Sequence, residues 1–142
     1  MSAEVLRIVQ QLMDLAQPSA QAVAVVLGCE ARLTDEGAWN KHGLSFSGGL
    51  FTEGAFKQSV AEPHRALLWV DISPEAGLSE TSFELEQHYG PRWTTTINPH
   101  MFPEGTFSEV FRTGGVQVSF RFTYETKVFS LLALEWGAYS PP

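Results

Sequence analysis

At 142 residues the chain has the commonest size of a single domain, and its 44% hydrophobic and 12% aromatic content excludes a disordered segment. Sixteen acids against nine bases give a formal charge of −7, which repels phosphate backbones and argues against nucleic acid as a partner. The single cysteine, Cys29, excludes an internal disulfide framework and any multi-cysteine zinc site.

The first residues lack the basic start and apolar core of a secretory leader, and no apolar run reaches membrane-spanning length. One domain over residues 1–142, cytoplasmic and without membrane contact, is the expectation. Val5, Ile8, Val9, Leu12, Leu15 and Ala16 recur at helical spacing, so Ala3 to Ala16 predicts an amphipathic helix. Pro18 interrupts it. Ala20 to Leu27 is apolar on every side, so periodicity alone does not separate helix from buried strand; Ser19 as N-cap and Gly28 as terminator favour a helix.

Between Cys29 and Glu62 the pattern weakens, with five glycines marking turns around short candidate strands near Gly43 to Phe51. Arg65 to Ile72 carries the apolar, partly alternating content of a sheet-core strand and ends at Ser73-Pro74. Ser79 to Tyr89 predicts a third helix, with Ser79 as N-cap, Leu78 and Phe83 at staple spacing, acids in the first turns and Gly90-Pro91 as a stop.

The remainder predicts antiparallel strands over Arg92 to Ile97, Thr106 to Arg112, Val116 to Tyr124 and Lys127 to Trp136, with Gly114-Gly115 as a hairpin turn. Val116, Val118, Phe120, Phe122 and Tyr124 alternate with polar residues, giving one packed face. Val128 to Trp136 is apolar on both faces, the pattern of a central strand. The fold class expected is α+β: an antiparallel sheet of about five to six strands packed against the N-terminal helices and one central helix.

The chemistry-bearing residues form no motif. His42, His64, His88 and His100 show neither i,i+4 pairing nor a neighbouring cysteine, and Ser45 and Ser47 fail the G-x-S-x-G spacing of a nucleophile elbow. Cys29 follows a helix end in an apolar context that favours an inert thiol. The glycine pairs lack the following lysine of a phosphate loop. No catalytic residue, metal or cofactor is expected.

Two features invite a binding role. Ala66 to Pro91 contains no Lys or Arg yet holds Asp71, Glu75, Glu80, Glu84 and Glu86, which reads either as a solvated face or as a docking surface for a basic partner. Trp39, in the polar stretch Asp35 to His42, suits equally a buried edge and an exposed interface anchor; the other tryptophans, Trp69, Trp93 and Trp136, read mainly as core or hairpin residues.

The stretch Leu85-Glu86-Gln87-His88-Tyr89-Gly90, then Trp93, a connector through Pro99 and Pro103, and strands Val116 to Tyr124 and Val128 to Trp136 resembles the small acidic immunity proteins of bacterial polymorphic and contact-delivered toxin systems. The resemblance covers about half the chain, and Leu33 to Glu62 has no counterpart in it. It implies inhibition by binding: a cognate toxin occluded at its active site or substrate channel, with Asp71, Glu75, Glu80, Glu84, Glu86 and Trp39 as contacts. Two other readings stand beside it. A sheet with a helix across it can enclose an apolar ligand pocket lined by Phe120, Phe122, Phe129 and Trp136. The first two helices also suggest a winged-helix regulator, although the acidic Cys29 to Glu36 stretch is a poor recognition helix.

Overall fold

A computed structural model describes residues 3–76, 78, 82–98 and 105–137. The chain enters as two helices, α1 (Ala3–Met13) and α2 (Ala20–Leu27). The ambiguity over the second resolves as the end signals predicted: the Ser19 hydroxyl accepts the Ala22 N–H at 3.1 Å, and Gly28 closes the helix at φ +69°, a left-handed conformation that costs glycine little. The Gly28 N–H returns to the Val25 carbonyl and the Cys29 N–H to that of Ala24.

Four strands follow: β1 (Glu30–Asp35), β2 (Trp39–Ser45), β3 (Phe51–Ser59) and β4 (Ala66–Ile72). A 3₁₀ turn at Pro74–Ala76 leads toward α3 (Ser82–Tyr89), and β5 (Thr94–Asn98), β6 (Thr106–Thr113), β7 (Val116–Thr123) and β8 (Phe129–Trp136) complete the chain. All eight strands join one antiparallel sheet in the order β1-β2-β3-β4-β8-β7-β6-β5, so the last strand pairs with β4 at the centre. This placement agrees with the two-sided apolar pattern of Val128 to Trp136. The α+β class and the antiparallel sheet are as expected, but the expected strand number is corrected from five or six to eight.

The missed strands are β1 and β3, in the glycine-marked stretch. The β1 side chains are nearly all exposed, so its conformation comes from pairing with β2 and not from its own hydrophobic pattern. Trp39, expected in a polar loop, instead opens β2. The Gly114-Gly115 turn forms as predicted, with φ of +58° and +84° in the two-residue link between β6 and β7. The Ser79 cap and Glu80 lie outside the described residues, as do His100, Pro99, Pro103, the 138–142 tail and the Phe83 side chain that the staple requires.

Strand alternation separates the sheet into two faces. Leu44, Phe56, Leu68, Val70, Leu134, Val118, Phe120 and Phe111 bury in one cluster with Val5, Ile8, Val9 and Leu12 of α1, Val23 and Leu27 of α2, and Leu85 of α3. Tyr89 of α3 lays its ring 5.5 Å from both Phe111 and Phe120. Full burial of each large apolar side chain in this cluster is worth about 1.5–3 kcal/mol. No side chain of the opposite face of the central strands, such as Leu67, Trp69, Leu131 or Ala133, belongs to it. Among the described residues one face of the sheet, the closed face, is thus buried in the core cluster, while on the other, the open face, Leu67 and Trp69 of β4 are partly exposed and Thr106, Ser108 and Val110 of β6 are buried.

Candidate functional site

The acids that lie together in sequence do not lie together in space. Asp71 sits between the buried Val70 and Ile72 on β4, which turns it to the open face. Burial first, then a hydrogen bond with the Glu53 carboxyl and the charge of Glu53, raise its pKa above the usual aspartate value, while the charge of Arg121 pulls the other way. Glu75 is exposed on the 3₁₀ turn, where its carboxylate accepts the Ser73 hydroxyl at 3.0 Å. Glu84 and Glu86 lie on α3, the helix that buries Leu85 against the closed face. Glu86 approaches the Arg92 guanidinium at 3.8 Å. The base-free run is thus divided between the two sides of the sheet.

Trp39 is half-buried on the open face, in register with Ser59, and the Arg65 guanidinium lies 5.6 Å from its ring centroid. Of the other tryptophans, expected mainly as core or hairpin residues, two do not belong to the core. Only Trp136 is deeply buried, at 4% exposure; Trp93 is 53% exposed with the Arg112 guanidinium 3.4 Å over its ring, and Trp69 is 37% exposed on the open face. The signal for Trp69 was present in β4: Ala66, Leu68, Val70 and Ile72 make a complete inward face, which leaves Leu67 and Trp69 pointing away from it.

Two contiguous clefts on the helix side share Leu6 of α1 and His88 of α3. One, of about 280 Å³, is bordered by Glu84, Leu85 and Gln87; the other, of about 420 Å³, by Ala3, Arg7, Gln10 and Gln11. A third cleft of about 410 Å³ opens on the other face among Asp35, Trp39, Lys41, Lys57 and Leu67.

The four aromatics suggested for an internal ligand pocket are buried. Phe129 lies 5.8 Å from Phe120 and 5.6 Å from Phe122, and Trp136 packs edge-on to Phe56. None of them lines any of these clefts. Strand β1 directly follows α2, so the position of a recognition helix is taken by an edge strand.

Among the described residues no group of three His, Cys, Asp or Glu side chains is arranged to hold a metal ion. Among the described residues His42 Nδ1, Tyr89 Oη and Trp136 Nε1 are buried without a hydrogen-bond partner. Burial pushes the Tyr89 phenol well above its usual pKa, and it pushes the Cys29 thiol up as well. Both shifts oppose formation of a nucleophilic or basic anion. The sequence matches no family model, and neither a curated protein nor a solved structure is detectably similar to it.

Proposed function

We propose that the protein acts by binding another protein, neutralising a cognate bacterial toxin by covering its active site or substrate channel. The observation that carries this reading is the cleft between α1 and α3, which pairs an apolar floor at Leu6 with Glu84 on the α3 rim and Arg7 on the α1 rim, in a chain of net charge −7. An apolar groove gives contact area, while Glu84 and the overall negative charge steer a basic partner into encounter. Glu84 and Glu86 are the contacts assigned to the toxin on this side, with Glu75 and Glu80 as further candidate contacts. The role requires no catalytic residue, metal or cofactor, and a cytoplasmic setting suits the single thiol.

The test is direct. The product of the gene adjacent to this one is purified, and its toxic activity is titrated with the chain. Stoichiometric inhibition by the native chain, weakened at least tenfold by Glu84→Lys and by Leu6→Asp, is the expected result. Full inhibition by both variants overturns the assignment of the cleft; absence of inhibition by the native chain overturns the neutralising role.

A further inference from the structure

The open face of the sheet has a charge pattern that complements itself. On β2 and β3, Lys41 and Lys57 are direct cross-strand partners at one end of the face. Glu53 and Asp71 hydrogen-bond to each other at the other end, about four residues or roughly 13 Å along the strands. Like charges held opposite one another on a sheet are destabilising, and among the described residues neither lysine forms an ion pair. On β7 and β8 the signs invert: Arg121 stands at the acidic end and Glu135 at the lysine end, in register with Leu67.

Between the two ends runs a register-aligned row, Ala55, Trp69, Ala133 and Ser119, in which one indole rises among small side chains. Rotation by 180° about this row, within the plane of the face, exchanges the ends. Each strand then lies over its own counterpart: Lys57 meets Glu53 directly, Lys41 and Asp71 lie one strand to either side of that pair, and Glu135 comes within one strand of Arg121. Trp69 then meets its own counterpart at the axis, as the self-contact of a two-fold interface requires.

We infer that the open face is a self-association surface, and that a second copy of this chain packs on it face to face about the Trp69 row with its strand ends exchanged. Such packing is the aligned sandwich arrangement of two twisted sheets. The five central strands span about 24 Å across and about 20 Å along the chain direction, on the order of 500 Å² of face per copy. The total of about 1,000 Å² lies at the lower bound for a specific interface, the size of a transient dimer and not of an obligate one. On edge strand β1, Asp35 stands in register with Lys41 and borders the same cleft, so Lys41 has a carboxylate strand neighbour on one side and Lys57 on the other, and Glu30 stands in register with Ser45 at the acidic end. The inference does not rest on the toxin reading, whose cleft lies on the other side of the sheet.

The test exploits Glu53 and Lys57, both exposed and four residues apart on β3, which the two-fold axis sets against each other. Sedimentation equilibrium on the full chain from about 1 to 200 µM, the range that brackets such an interface, should show a monomer–dimer equilibrium that weakens with added salt. Glu53→Lys and Lys57→Glu should each raise the dissociation constant at least tenfold. An equimolar mixture of the two should regain a heterodimer, and the double variant E53K/K57E should dimerise like the native chain. A chain monomeric across the range overturns the inference, as does dimerisation indifferent to the single reversals or a mixture that does not reassociate. Circular dichroism on each variant confirms that loss of the dimer is not loss of the fold.

Discussion

Arg92 directs Nη1 to the Glu109 carboxylate at 3.0 Å, and Glu109, at 3% exposure, lies on the closed face of β6 opposite Phe120. Thr95 on the neighbouring strand donates its hydroxyl to the same Glu109 oxygen at 3.0 Å. A carboxylate placed among phenylalanines is costly unless its charge is answered, and the Arg92 guanidinium answers it with a charged hydrogen bond. Arg92→Ala is therefore expected to cost about 2 kcal/mol, the scale of a hydrogen bond to a charged group. Thr95→Val should cost less, since it deletes a neutral donor. Urea unfolding of the two variants gives the comparison, and equal losses would show that the guanidinium charge contributes nothing.

That pair also marks where the sequence stops being legible. Thr106 to Arg112 was recognisable as a strand, yet its alternation sets Glu109 on the same side as Phe107 and Phe111, and nothing near it in sequence announces that Arg92, 17 residues away, closes the charge. Local signals did reveal α2, because a cap and a left-handed glycine act within a few residues. They revealed β7 because half its residues face the core. Strand β1 is hidden because its evidence lies in β2, and the acidic run reads as one surface because sequence adjacency does not tell that Asp71 of β4 points to the face opposite α3. The candidate cleft joins α1 to α3 across some eighty residues, and the open-face charge pairs depend on register, which becomes fixed only once the strands pair.

Gly54 tests that register at one atom. It lies beside the irregularity in the β3–β4 pairing, where a Cβ would stand 2.5 Å from the Trp69 carbonyl oxygen and 2.6 Å from Val70 Cγ1. Backbone cannot yield as a flexible side chain does, so Gly54→Ala should destabilise by about 1–3 kcal/mol through overpacking. Gly43 supplies the control: a Cβ there meets only Thr34 Cγ2, at 3.4 Å. Gly43→Ala should change stability by no more than about 0.5 kcal/mol. Thermal melts of the two variants should differ clearly, and a Gly54→Ala protein as stable as the native one would contradict the strand packing.

Cys29 follows the α2 cap and lines a shallow cleft with Glu30, Ser45 and Phe46. Alkylation needs the thiolate, and partial burial disfavours that charged form, so the thiol pKa rises above its ordinary 9.0. The pH–rate curve for iodoacetamide should therefore be displaced to higher pH, with the native rate at pH 8 well below that of the urea-unfolded chain and still climbing through pH 9. Native and unfolded rates that coincide would show the thiol to be fully solvated.

Asp71 provides the corresponding test for a carboxylate, with the sign set by the direction of its shift. Its pKa in the folded chain is raised by burial, then by the hydrogen bond to Glu53 and the charge of Glu53, so between 3.8 and that raised value the folded state holds more protons than the unfolded one. Stability from this group is present in full at pH below 3.8 and is lost as pH rises through the raised pKa. Asp71→Asn carries no titrating proton and relieves the repulsion with Glu53, so at neutral pH it should be more stable than the native chain, with a gain that shrinks as the pH falls toward 4. Urea unfolding across pH 4 to 8, at concentrations where sedimentation finds a single copy, measures the difference. A variant less stable than the native chain at pH 7, or a gain that grows on acidification, would show that Asp71 is held in place by favourable charge contacts within its own chain.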